Sequence, residues 1–554
     1  MRISLQENRM RQYPPTRLMN IAKLCYHRQQ VLIKKKVRER QMKKKTLMIA
    51  GTVLAMTLAC AKTAMTVSAE GGTLVYGSGD YTRINPAMDE HGEINILIFN
   101  GLTAHDGDNQ VVPSLAKSWD FDDETNTYTF HMVEDAKWQD GEPVTAEDVK
   151  FTIEAIMDPE NGSENAPNYE DVEEINVIDD HTVAFKLEDK NVAFLDYMTM
   201  AVLPKHLLEG EDMQTSDFFR HPIGTGPYMI ESWDEGQAIT LTKNENYFKG
   251  EPNIDKVVFK IVPDDNAKAL QLKSGELNLA LLTPKDAATF AEDDAFICYD
   301  MKTADYRGIM FNFGNEYWQK NRDLIPAVCY ALDREAIINA VILGQGMPAY
   351  GPLQRNIYNN ENVEHYDYDP EKAKEILEEA GCEMGDDGFY YRDGEKVGFV
   401  ISVSAGDQVR IDMAQIAAQE LKEIGMDVSV DIPAQTDWAG QMAFLIGWGS
   451  PFDADDHTYK VFGTDKGANY SSYSNEKVDQ YLTEARQSSD PEVRAEAYAK
   501  FQEALAEDPA YAMICYIDAN YVADSNIKGI DPDTVMGHHG VGIFWNVADW
   551  TIEE

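Results

Sequence analysis

The stretch HPIGTGPYMIESWDEGQAITLTKNENYFKGEPNIDKVVFKIVPD, residues 221–264, decides how the chain is to be folded. It holds two runs, AITLTKN and KVVFKIV, that read as strands. Upstream, from Gly72 to about Leu187, the text is of the same kind: TYTFHM (Thr127–Met132) and HTVAFKL (181–187) alternate with the period of two of half-buried strands. Between them lies DGEPVTAEDVKFTIEAIMDP. It predicts a turn at Asp140-Gly141, an N-cap at Thr145 answered by Asp148, and a helix with the apolar face Val149, Ile153 and Ile156. Downstream, NAKALQLKSGEL predicts a helix closed by Gly275.

Beyond that point the style changes. PAVCYALDREAIINAVIL, PEKAKEILEEAGC, VRIDMAQIAAQELKEIGM and DPEVRAEAYAKFQEALAED each carry apolar residues at three- and four-residue spacing. In the last, Val493, Ala497, Phe501 and Leu505 form one stripe expected to face a core. Short strands, GFVISVS and DVSVDI, separate these helices. The alternation argues an α/β unit over roughly residues 305–524.

The chain of 554 residues is long enough for two or three compact units. Its formal charge of −46 is uneven: residues 1–69 carry 15 Lys/Arg against 2 Glu, which leaves −59 on residues 70–554. So acidic a surface repels nucleic acid and anionic lipid and favours encounters with cations and cationic peptides. The N-terminus reads as an export signal, with Lys43–Lys45 as its positive end, an apolar run from Thr46 to Ala61, and a small-x-small cut site at Val67 and Ala69. Met42, directly before the lysines, reads as the translation start. Cys60, at the end of TLAC, is a candidate for lipidation, in competition with cleavage after Ala69. Cys298, Cys329, Cys382 and Cys515 are scattered without a CxxC and are expected to be buried thiols.

Catalytic signatures are missing. The sequence has no GxSxG, HExxH or GxxxxGK[ST], and DGDNQVVPSLAK fails as a calcium loop at Val111 and Lys117. His538-His539 reads as a Gly-flanked surface pair, since nothing at a suitable spacing completes a metal site. GWGSPFDADDHTYKVF, residues 447–462, gathers Asp453, Asp455, Asp456 and His457, a set that also suits a solvated loop or a helix N-terminus. No metal and no cofactor is therefore expected.

Several segments together resemble one family. SLAKSWDFDDETNTYTFHMVEDAKWQDGEPVTAEDVKFT, FLDYMTMAVLPKHLL, the stretch at 221–264, AVCYALDREAIINAVILGQGMPAYGP and YDPEKAKEILEEAG are similar to the family 5 extracellular solute-binding proteins of ABC importers, which include the oligopeptide, dipeptide and nickel receptors. The run Ile223-Gly224-Thr225-Gly226-Pro227-Tyr228 is its most specific part. The resemblance implies an α/β, two-lobed periplasmic-binding-protein fold of the large type II class, with a hinge between the lobes. Lobe 1 spans 70–304 with an inserted subdomain at about 112–222, lobe 2 spans 305–524, and 525–554 returns to lobe 1. The glycines of HPIGTGPY and Pro227 would shape the return from the inserted subdomain. Closure around a solute would be a population shift driven by contacts to both lobes.

The resemblance also implies a site. In peptide-binding members a segment like WGSPFDADD lies at the cleft, and an Asp three residues after its Trp pairs with the peptide amine; here that position is Pro451 and the first acid is Asp453. Trp448, Gly449, Pro451, Phe452 and Asp453 look more like the nickel-receptor version, yet the arginines expected from lobe 1 are missing and Lys466 stands near where a histidine ligand would fall. The expectation is a non-enzymatic, monomeric, exported receptor that delivers a short peptide to a membrane permease. Asp453 or Asp455 would take an ammonium and Trp448 and Phe452 would supply apolar walls. Tyr81, Arg83 and Asn85 are candidates for the opposing wall, with Arg83 on a ligand carboxylate or in a surface pair with Asp80 or Asp89. A nickel or metal-chelate receptor is the alternative, and a secreted hydrolase a remote third.

Overall fold

The computed structural model describes residues 71–88 and 92–553. The export signal and Cys60 lie outside these residues. An eleven-stranded sheet runs through the described chain. In order its strands are Ser429–Asp431, Val400–Ser402, Ala443–Trp448, Phe296–Phe311, Tyr511–Asp524, Leu279–Leu282, Thr73–Ser78, Lys256–Ile261, Ala238–Lys243 and Tyr228–Asp234, with Gly346–Pro348 paired to Tyr511–Asp524 off this path. The two runs of the 221–264 stretch pair antiparallel, Phe259 opposite Ile239, and Lys256–Ile261 lies parallel to Thr73–Ser78.

Two large cores divide this sheet. One gathers Leu74, Phe130, Leu203, Phe259, Met301, Ala519 and Trp550, the other Tyr306, Trp318, Leu421, Phe501 and Tyr516. Among the described residues, only the strands Phe296–Phe311 and Tyr511–Asp524 have members in both. Each changes core within a few residues, between Met301 and Tyr306 and between Tyr516 and Ala519, and their mutual register shifts between Lys302 and Tyr306. An irregularity where two paired strands pass from one packed body to another is where a hinge costs least, because few side chains there are locked by packing.

A separate four-stranded sheet, ordered Ala116–Asp122, Thr127–Met132, Thr182–Leu187 and Val172–Asp179, belongs to the first core. Helix Ala146–Met157 packs on it, started by the capping box of Thr145 and Asp148. The chain leaves this subdomain through Gly224 to Tyr228. A Cβ at Gly226 would stand 2.5 Å from Ile98 C and Leu97 O, and Gly226 N donates to Ile98 O at 2.7 Å. Only glycine lets two backbones pass so closely.

Three local expectations need correction. PAVCYALDREAIINAVIL is two helices, Ile325–Tyr330 and Arg334–Ile342, because Asp333 caps the second through its side chain on Ala336 N. In helix Pro491–Glu507 the stripe is rotated: Val493 is exposed and Arg494 is buried instead. Of the four cysteines, Cys329, Cys382 and Cys515 are buried, but Cys298 is exposed.

Candidate binding cleft

Trp448 ends its strand opposite Tyr306, next to the switch between cores. The chain then turns away at Gly449, φ +148, where a Cβ would run into the Ala304 backbone. It continues through Pro451 and Phe452 into helix Asp455–Phe462. This crossing segment faces the first core. Phe452 lies flat on His105, with ring centroids 3.7 Å apart and an interplanar angle of 7°. His457 Nδ1 accepts from Gly449 N at 3.0 Å, which fixes the turn.

Between the segment and the first core lies a chamber of about 410 Å³. Five asparagines, Asn95, Asn100, Asn109, Asn165 and Asn168, line it, together with aromatic surface from Phe452 and Trp545. Among the described residues Lys249 is the one Lys or Arg in its lining, and burial lowers its pKa. Neutral amides offer both donors and acceptors, the pattern suited to peptide groups. The volume falls within the range of ordinary small-ligand sites.

The three carboxylates of the segment have separate fates. Asp453 accepts two hydrogen bonds from Arg494, at 2.6 and 2.8 Å. Burial disfavours the Arg494 charge, but the Asp453 carboxylate outweighs it and holds the guanidinium pKa above its usual range. Asp455 has a fully buried side chain, accepts from Tyr197 Oη at 2.8 Å and Arg486 Nη1 at 3.1 Å, and is pushed up to about 6 by burial. Asp453 and Asp455 are thus held by arginines of their own lobe and are not presented to the chamber. Asp456 does line it, while reaching Lys460 at 3.5 Å.

Arg486 also binds Asp171 of the first core, at 2.7 Å, so one guanidinium bridges the two bodies. Lys466 makes a second bridge to Glu170 at 2.5 Å. On the opposite wall, Tyr81 meets Phe259 edge-on, Arg83 donates to Gln214 O at 2.8 Å and Gln214 Oε1 at 2.9 Å, and buried Asn85 donates to Met213 O at 2.7 Å. None of these three lines the chamber, although Pro86 beside them does. Trp448 is almost buried, with Tyr470 and His538 stacked near it at 5.9 and 6.3 Å.

Of the His538-His539 pair, His539 is at the surface as expected and His538 is not. The His538 side chain is 10% exposed and its Nδ1 lies 2.9 Å from Asp305 Oδ1, while His539 N donates to Asp305 Oδ2 at 3.0 Å. Sequence reading also missed Arg486, Arg494 and the five asparagines. The arginines carried a signal in their helical spacing: Arg494 stands three residues before Ala497 and seven before Phe501, on the buried side. The asparagines are scattered in sequence, Asn95 opening a short helix and Asn165 and Asn168 at a 3-10 turn, and carried none.

Residues 110–470 match the model of the bacterial extracellular solute-binding proteins, family 5, middle region. Protein XP55 of Streptomyces lividans is 32% identical over 455 residues, 81% of this chain and 84% of that protein. The oligopeptide-binding protein AppA of Bacillus subtilis is 30% identical over 506 residues, 87% of this chain and 92% of its own. Its structure with a nonapeptide superposes with a TM-score of 0.76 at 28% identity, covering 88% of this chain and 99% of that one. NikZ from Campylobacter jejuni, solved in complex with Ni(L-His), gives a TM-score of 0.81 at 35% identity, covering 87% of this chain and all of that one.

Proposed function

The chain belongs to the family 5 bacterial extracellular solute-binding proteins, and on that premise we propose that it captures a short peptide in the chamber between its lobes and passes it unchanged to the permease of an ABC importer. The observation that carries the choice of solute is the chamber wall, where five asparagines line a space of about 410 Å³, three of them held in place by Nδ2 donating to Tyr247 Oη, Val535 O and Pro86 O. Amides satisfy the donors and acceptors of a peptide backbone whatever its side chains, so they hold length and shape rather than sequence. Asp456 is the carboxylate of the crossing segment placed to receive an amino terminus, worth about 1.5–3 kcal/mol as a charge-assisted hydrogen bond. The protein acts as a monomer and performs no catalysis. Among the described residues no helix is long and apolar enough to cross a membrane.

A second reading rests on one observation of its own. His457 and His538 both pack against Trp448, at 5.6 and 6.3 Å between ring centroids, and His539 lies against His538. The described residues gather no set of three metal-type donors, so a metal would arrive with its own chelator. Native mass spectrometry of the full chain purified from cells, with ejection of whatever is bound, decides between the two. A ladder of masses spaced by amino-acid residues supports the peptide reading. A single adduct with a metal isotope pattern overturns it in favour of the chelate.

A further inference from the structure

The chamber wall is unevenly charged. Among the described residues its carboxylates are Asp106, Asp196 and Asp456, against the single ammonium of Lys249. All three acids belong to the end marked by the stack of Phe452 on His105: Asp106 follows His105 in the chain, Asp196 Oδ1 lies 2.9 Å from His105 Nε2, and Asp456 is in the first turn of the helix that follows Phe452. Lys249 hydrogen-bonds elsewhere. Its Nζ is 3.4 Å from Pro113 O, and Pro113 pairs with Thr103, two positions along the hairpin from the pair His105 and Val111. Two positions of strand are about 7 Å, so this ammonium is engaged away from the acidic end.

Two of the three acids have partners that account for them. Asp106 Oδ1 accepts from Asp108 N at 3.0 Å and Gln110 N at 2.9 Å, which closes its own turn, and Asp456 reaches Lys460 at 3.5 Å. Asp196 differs. It sits in the short helix Phe194–Tyr197 with its side chain 11% exposed, and both of its contacts, His105 Nε2 at 2.9 Å and Asp453 N at 3.3 Å, fall on Oδ1. Oδ2 has no partner among the described residues and is not sealed from the chamber that Asp196 lines. Burial foremost raises the Asp196 pKa, the His105 hydrogen bond works against that, and the charge of Asp453 adds to it. Arg494 brings no relief, because both its terminal nitrogens are engaged by Asp453. The site is therefore short of positive charge at one accessible oxygen.

We propose that Asp196 is a second cation seat, on the first lobe and distinct from the amino-terminal seat at Asp456, and that it selects peptides carrying a basic side chain. This rests on the peptide reading above and deepens it: the solute brings two cations, one for each carboxylate. A lysine or arginine side chain gives Oδ2 a charge-assisted hydrogen bond and can lay its apolar stem along Phe452, which lines the same wall. The acidic surface of the protein favours encounter with the same solutes.

The test offers the full chain an equimolar mixture of tripeptides and pentapeptides in which every position is alanine, serine, norleucine or lysine, and reads the bound masses by native mass spectrometry. Norleucine keeps the lysine stem and lacks its charge. Lysine peptides should be enriched about tenfold over their norleucine counterparts. Carbodiimide coupling joins an amine to a carboxylate only where the two touch, and the lysine Nζ of the bound peptide should be recovered on Asp196. In Asp196→Asn the ratio of lysine to norleucine peptides should fall to about one. Equal binding of the two kinds by the unmodified protein overturns the seat while the peptide reading stands. So does coupling of the lysine Nζ to another carboxylate, or an enrichment that survives in Asp196→Asn; the coupling is read on the unmodified protein and needs no variant to fold. Absence of binding by every peptide overturns the peptide reading and the seat with it.

Discussion

Arg494 grips Asp453 with two hydrogen bonds, Nη2 to Oδ1 at 2.6 Å and Nη1 to Oδ2 at 2.8 Å, both side chains nearly buried. The pair ties helix Pro491–Glu507 to the crossing segment just before helix Asp455–Phe462. Removing one partner leaves the other charged and buried, which costs about 3–5 kcal/mol. Asp453→Asn should therefore lower the unfolding free energy by roughly that amount, measured by urea denaturation. A loss below about 1 kcal/mol would show that the pair is not structural.

Arg486 predicts a different consequence, because it joins Asp455 within its lobe to Asp171 across the cleft. Asp171→Asn removes the cross-lobe bond and leaves Asp455 to hold the guanidinium. We expect stability to change little and the closed form to lose population, so that solute affinity falls about three- to tenfold. Small-angle scattering of the ligand-free variant should show a larger radius of gyration. An unchanged radius together with unchanged affinity would remove this bridge from the closing mechanism.

Glu93 gives a pH dependence. Part of its side chain is exposed, yet its Oε2 is sealed from solvent without a partner, while Oε1 accepts from Gly542 N at 3.1 Å and Tyr521 Oη at 3.2 Å. Burial raises its pKa from 4.5 to about 7. The folded state holds the proton more tightly than the unfolded one, so this contribution to stability is full below pH 4.5 and lost as pH rises through 7. The loss is about 3 kcal/mol. Glu93→Gln should flatten the fall in stability between pH 5 and pH 8, measured by denaturation at both. An equally steep fall in the variant would place the effect elsewhere.

Gly226→Ala tests the threading of the 221–264 stretch. The new Cβ would lie 2.5 Å from backbone atoms of Leu97 and Ile98, which cannot move as a flexible side chain can. Overpacking of this kind costs about 1–3 kcal/mol. The melting temperature should drop by several degrees, whereas Gly79→Ala, just past strand Thr73–Ser78, should cost less because nothing lies within 4 Å of the new Cβ and its backbone is not left-handed.

Local elements were legible because their causes are local. The strand Thr127–Met132 alternates in burial as in sequence, and helix Ala146–Met157 begins where Thr145 and Asp148 satisfy each other. The family was legible in Ile223 to Tyr228, whose glycines meet a backbone demand that few other residues satisfy. Val493 was misplaced because a four-residue stripe fixes a helix face only to within one position, and Arg494 was overlooked because a charged residue on the buried side is excluded by hydropathy alone.

The sequence by itself determined the α/β content, the strand and helix periods, the family and the segment that crosses the cleft. Tertiary structure decided which charges face solute. Asp453, Asp455 and Asp456 differ by three positions and no chemistry, but Arg494 comes from 41 residues away and Arg486 from 31, and only their approach removes two of the three carboxylates from the chamber. The same holds for His538 and His539, which meet Asp305 across more than 200 residues of chain. A carboxylate's role is set by what stands within about 4 Å of it, and that distance is a property of the folded chain.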